Sequence, residues 1–185
     1  LPVMRSCFPG KLERVTPEQL YRAVNRVQSS LIRTEADELT YPLHVMIRYE
    51  LEKALLGGDL PVKDVPGEWN RLYREWLGVR VPDDRRGVLQ DSHWSGGLLG
   101  YFPGYALGSA YGVQMLAAME KSFDPWARVA CGDLSPITAW LREKVHRYGR
   151  SLKPQPLLEQ AIGGPFDPLR YTEYLKKKFS SLYGL

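Results

Sequence analysis

Over residues 37–56 apolar side chains recur every three to four positions, at Leu39, Leu43, Met46, Ile47, Ala54 and Leu55, and Gly57-Gly58 closes the run. That spacing predicts an amphipathic helix ended by a glycine cap. A second helix is predicted over 67–77, with Trp69, Leu72, Tyr73 and Trp76 on one face and Gly78 as its stop. A third, over 103–123, is crowded with small residues: Ala106, Gly108, Ser109, Ala110, Gly112, Ala117 and Ala118. Glycine in a helix costs about 1 kcal/mol against alanine, so Gly108 and Gly112 in consecutive turns imply a packing or substrate-related reason. Start signals punctuate the rest. Thr16-Pro17-Glu18-Gln19 supplies an N-cap, a proline for the first helical position and a capping-box Gln, with Leu20, Val24 and Val27 following at helical spacing. Asp124-Pro125, Ser135-Pro136 and Asp167-Pro168 repeat the start signal. Asp167 is expected to cap a last helix that carries Leu169, Tyr174, Leu175, Phe179 and Leu182. Residues 30–34 alone are apolar and β-branched enough to suggest a strand. The pattern predicts a mainly α fold, a helical bundle with at most a short strand, in a single domain over residues 1–185.

Composition narrows the class. A chain of 185 residues, 44% hydrophobic and 25% charged, can build a core and reads as a soluble globular protein. No apolar run reaches the length of a membrane span, and residues 1–15 carry no signal-peptide pattern. A start at Leu1 rather than Met suits a fragment or a processed chain. The net charge of +4 is modest and dispersed. Its densest run, Lys176-Lys177-Lys178, falls on the predicted last helix and reads as a solvated face. A nucleic-acid binder would gather its charge on one surface, so neither nucleic acid nor membrane is an expected partner. Cys7 and Cys131 lie far apart without CxxC spacing, which fits a reduced, cytoplasmic setting.

Three segments carry more polar chemistry than packing requires. Ile32-Arg33-Thr34-Glu35-Ala36-Asp37 places an arginine and two carboxylates before the strongest helix. Capping by Asp37 and a surface ion pair would account for it as well as a binding role would. Gly87-Val88-Leu89-Gln90-Asp91-Ser92-His93-Trp94 is a polar loop bounded by glycines, a common seat of function. There His93 is either structural or chemical, and Asp91 is placed to fix its tautomer directly or through a water. In Gly100-Tyr101-Phe102-Pro103-Gly104-Tyr105-Ala106-Leu107-Gly108, Tyr101 and Tyr105 are one helical turn apart at a helix start. Half-buried core aromatics would explain them too. The chain has three histidines, His44, His93 and His146, with no pair at metal-ligand spacing. It has no HExxH, P-loop, GxSxG or GxGxxG motif.

Taken together, the three segments closely resemble the carboxypeptidase Taq family, whose carboxyl-terminal third carries IRxxAD, GxxQDxHW and GYFPxYxLG motifs. All three stand complete here, at 32–37, 87–94 and 100–108, in the same order and with Tyr41-Pro42-Leu43-His44 and Trp94-Ser95-Gly96-Gly97 around them. The resemblance covers essentially the whole chain. It implies the carboxyl-terminal part of a larger all-helical, cytoplasmic, homodimeric metallopeptidase that removes carboxyl-terminal amino acids from peptides. It implies one divalent metal, usually zinc, held by the two His of HExxH and a downstream Glu, with the HExxH Glu as general base. Those residues are expected upstream of Leu1, so no metal ligand is expected in this chain and the chain alone is expected to be inactive. The resemblance makes His93 and Tyr105 candidates for stabilising the oxyanion, with Tyr101 as the alternative tyrosine. It makes Arg33 the candidate for the substrate carboxylate, a shape that a planar guanidinium fork matches better than an ammonium. The competing expectation is a non-catalytic helical interaction domain derived from the same fold.

Overall fold

The computed structural model describes all of residues 1–185. It contains nine α-helices: α1 (Pro2–Cys7), α2 (Pro17–Val24), α3 (Tyr41–Gly57), α4 (Val65–Leu77), α5 (Pro103–Glu120), α6 (Pro125–Cys131), α7 (Ser135–Lys144), α8 (Pro154–Ile162) and α9 (Leu169–Tyr183). Short 3-10 turns at Arg33–Glu35, Val62–Asp64 and His146–Tyr148 link them. The strand suggested at 30–34 does not form. The chain there enters the 3-10 turn, and Gln90 takes up its polar backbone by accepting from the Arg33 N–H at 2.9 Å and donating to the Leu31 carbonyl at 3.0 Å.

The helix starts follow local chemistry more than hydrophobic periodicity. At α2 the capping box is complete: Thr16 Oγ1 accepts from the Gln19 N–H at 3.1 Å, and Gln19 Oε1 accepts from the Thr16 N–H at 2.9 Å. Asp124 caps α6 by accepting from the Trp126 and Ala127 N–H groups. The strongest predicted helix begins four residues later than its periodicity suggested, because Pro42 lacks an N–H and is tolerated only in a first turn. Asp37 therefore shapes the turn before the helix, accepting from the Leu39 and Thr40 N–H groups and from Thr40 Oγ1. Ser135 lies inside α7, with Asp133 accepting its N–H, and Asp167 accepts from the Leu169 N–H one position ahead of the formal cap.

The chain forms two compact units, Leu1–Pro103 and Gly104–Leu185. In the first, α3 packs on α4. Its core gathers Ile47, Leu51, Trp69, Leu72, Tyr73, Leu77 and Val81, with Trp94 packed at its side. The face that α3 buries departs from the predicted stripe: Met46 faces solvent, while His44, Arg48 and Glu52 are buried at i, i+4 and i+8. Val24 of α2 is also exposed. In the second unit α5 buries Ala110, Gln114, Ala118 and Met119, and α9 buries Leu175, Phe179 and Leu182 while Leu169 stays exposed. Gln114 Oε1 accepts the Asp167 N–H at 3.0 Å, which ties α5 to the start of α9. No helix is long and apolar enough to cross a membrane.

Candidate functional site

The polar groups of α3 meet the loop at 87–94. His44, Arg48 and Glu52 lie one turn apart on the buried face of α3, so successive turns present an imidazole, a guanidinium and a carboxyl group to the same side. Arg48 is fully buried. Its Nε and Nη2 both reach Asp91 Oδ2, at 2.7 and 2.6 Å. Nη2 also donates to Gln90 Oε1 at 2.9 Å, and Nη1 donates to the His44 carbonyl at 2.7 Å and to the Tyr73 hydroxyl at 3.2 Å. The guanidinium carbon lies 4.5 Å from the Trp69 ring centroid and 5.4 Å from that of Phe102, so aromatic faces replace part of its hydration.

Arg33 approaches Asp91 from the other side. Its Nη2 and Nε donate to Asp91 Oδ1 at 2.7 and 3.1 Å, and its Nη1 donates to the Tyr41 hydroxyl at 3.0 Å. Arg33 is only 6% exposed, so the surface ion pair considered from sequence is instead a buried one, and its partner is Asp91 rather than Asp37. Burial would pull the Arg33 guanidinium down, but the hydrogen bond and charge of Asp91 outweigh this and raise it further. Burial would likewise push the Asp91 carboxyl up, yet the hydrogen bond from Arg33 and the charge of Arg48 hold it below the usual carboxylate range. One carboxylate thus serves two buried guanidinium groups.

His93 follows Asp91 in the same loop. Its Nδ1 is 3.9 Å from Asp91 Oδ1, beyond hydrogen-bond length, so a direct bond does not set its tautomer. Its ring packs on Phe102 at 4.4 Å between centroids and beside Tyr101 at 5.6 Å. The next residue, Trp94, donates its indole N–H to Glu52 Oε1 at 2.8 Å. The structure therefore brings Arg33, His93 and Tyr101 into the first unit's polar cluster. Tyr105 lies half-buried in the first turn of α5, in the second unit. No group of three or more His, Cys, Asp or Glu side chains is disposed to hold a metal ion, so the residues of this chain do not fit a metal centre. Cys7 and Cys131 are exposed and free.

Sequence reasoning missed Arg48, Glu52 and the bridging role of Gln90. The signal was present: ionisable residues at i, i+4 and i+8 beside Val45, Ile47 and Leu51 place charge on a face that must be buried.

His44 also belongs to this face. Arg48 can only donate to the Tyr73 hydroxyl, so that hydroxyl is free to donate its own proton to His44 Nδ1, 3.1 Å away. Burial and then the charges of Arg48 and Arg33 push His44 from the ordinary 6.5 down to about 4. The folded protein resists protonation that the unfolded chain accepts. Stability is therefore fully present above pH 6.5 and is lost as pH falls toward 4, by roughly 3 kcal/mol at most. Urea denaturation from pH 7.5 to 4.5 should show a falling midpoint, and His44→Gln should flatten that trend. An unchanged slope in His44→Gln would assign the loss to other groups.

Residues 1–179 match the family model described as Carboxypeptidase Taq (M32) metallopeptidase. The chain belongs to that family. Among members of the M32 family, it is 42% identical to Carboxypeptidase 1 of Bacillus subtilis over 97% of its own length, and 42% identical to Thermostable carboxypeptidase 1 of Thermus thermophilus over 99%. The crystal structure of the M32 carboxypeptidase from Deinococcus radiodurans superposes with a TM-score of 0.94 at 45% identity, over 100% of this chain and 37% of that one. The chain spans 36% of the length of the two curated M32 relatives. The all-helical fold expected from the sequence is the fold of this family.

Proposed function

We propose that these residues form the substrate-side portion of a metal-dependent carboxypeptidase that hydrolyses the last peptide bond of peptides. Family membership supports the reaction class. One observation carries the assignment to this site: the buried guanidinium groups of Arg33 and Arg48, joined through Asp91, lie beside His93 and Tyr101. A peptide's terminal carboxylate is an anion that a planar guanidinium fork suits, and Arg33 carries such a fork. The longer family members leave about two thirds of their length beyond this segment, and the metal, zinc in this reading, is held by residues there. The apolar character of α5 agrees with a larger partner surface. It has no charged residue from Pro103 to Met119, and a helix that is apolar on every side belongs in a core. The intact protein is proposed to be a cytoplasmic homodimer.

Peptide hydrolysis develops negative charge on the carbonyl oxygen. Donors preorganised toward that oxygen stabilise the transition state more than the ground state. His93 is proposed as such a donor, with the Tyr101 or Tyr105 hydroxyl as the second; Tyr101→Phe and Tyr105→Phe separate the two. The test for carboxylate recognition is Arg33→Lys in the family-length protein. Lysine keeps the charge but loses the fork. Release of amino acid from free-carboxylate peptides should fall about ten- to a hundredfold, the scale of one charge-assisted hydrogen bond, with a much smaller change on amidated peptides. Equal losses on both would show that Arg33 acts only by holding Asp91.

A further inference from the structure

We propose that Glu52, acting through Trp94, is a positioning residue that sets the imidazole of His93. The idea deepens the reading of His93 as an oxyanion donor and rests on it for its catalytic consequence. Glu52 is 3% exposed on the buried face of α3. Its Oε1 accepts the Trp94 indole N–H at 2.8 Å, while its Oε2 is buried with no hydrogen-bond partner. An unsatisfied buried oxygen is destabilising, and an apolar side chain would pack at this position without that cost. The helix therefore keeps an expensive group that accepts a hydrogen bond from the residue next to His93.

The other side of His93 is held by the same helix. Arg48, one turn before Glu52, fixes Asp91 at 2.6 Å. So α3 grips the loop at 91 and at 94, and His93 lies between the grips. Trp94 stands edge-on to Phe102 at 6.0 Å, and the His93 ring rests on that same phenyl ring at 4.4 Å. A shift of the indole is transmitted to the imidazole along one peptide unit and across one shared ring. Displacement of about 1 Å at a reacting group costs on the order of a hundredfold in rate. The bland alternative is that Trp94 needs only some acceptor for its N–H, in which case His93 does not depend on Glu52.

Proton NMR of the histidine rings in this chain decides between them. With three histidines, His44, His93 and His146, each signal is assigned by substitution. Stacking on Phe102 gives the His93 ring protons a ring-current shift. Glu52→Leu should abolish that shift while the His44 signal stays native, and Glu52→Gln, which keeps an acceptor oxygen, should restore it. An unmoved His93 signal in Glu52→Leu overturns the proposal. If Glu52→Leu also loses the His44 signal through unfolding, Trp94→Phe removes the donor instead. It should displace His93 alike, and an unmoved signal there overturns the proposal equally. In the family-length protein, Glu52→Leu should lower kcat with little change in KM and add nothing to the loss in His93→Ala, whereas multiplying losses would contradict action through His93. Full kcat in His93→Ala would remove the catalytic reading itself, and the imidazole signal would then decide the positioning alone.

Discussion

Asp91→Asn is expected to lower the stability of the first unit by about 3–5 kcal/mol, the usual cost of breaking a buried ion pair from one side. Asp91 is the shared anion of two guanidinium groups whose side chains are 7% and 0% exposed. An asparagine oxygen can still accept, but its NH2 group points a donor at one of the two arginines, and both cations lose their counter-charge. Small domains carry about 5–15 kcal/mol in all, so this change removes a large share. Asp83→Asn serves as the control. Its ion pair with Arg86 is 2.7 Å long, yet both side chains are about half exposed, and such pairs contribute less than about 1 kcal/mol. Urea denaturation followed by far-ultraviolet dichroism measures both. Equal, small effects would mean that water reaches the two arginines. The sign with pH is fixed as well. The folded Asp91 carboxyl lies below its ordinary 3.8, so its contribution is present above that value and is lost as pH falls below it.

His93→Ala in the family-length protein should lower kcat on the order of a hundredfold and leave KM nearly unchanged. That scale is the usual loss for one donor to a developing oxyanion. The split follows from timing: a bond that strengthens only as charge develops contributes to the transition state and little to ground-state binding. Metal content should stay normal, because the metal is proposed to be held by residues beyond this segment. Thermal stability should change little beyond the loss of packing on Phe102. Metal content, melting temperature and steady-state kinetics measured on one preparation separate the outcomes. Loss of metal would place His93 among the ligands. A lower melting temperature with a weakened KM as well as a lower kcat on every substrate would make it a structural loop residue.

The helices were legible because their punctuation is local. The Thr16 capping box, the Asp124 cap and the glycine stops at Gly58 and Gly78 act within a few residues and appear in the structure as predicted. The predicted face of α4 holds for Trp69, Leu72 and Tyr73. The face of α3 was misread because hydrophobic periodicity has no term for a buried charge. Met46 scores as core and is exposed, while Arg48 scores as surface and is fully buried. What reverses them is Asp91, 43 positions further along the chain, a pairing that spacing cannot reveal. The strand suggested at 30–34 fails for the same reason, since Gln90 takes up the backbone groups that a neighbouring strand would have used. Arg33, Asp91 and His93 were singled out because they crowd into short motifs. Their division into a charge cluster and an adjacent imidazole needed the three-dimensional arrangement.

Whether these residues serve a carboxypeptidase is settled most directly by measuring amino-acid release from an unblocked peptide by the family-length protein, with and without a metal chelator. The expected result is stepwise loss of carboxyl-terminal residues that chelation abolishes and added divalent metal restores, with no release by residues 1–185 alone. Release that persists undiminished under chelation, or none from the metal-loaded family-length protein, would contradict it.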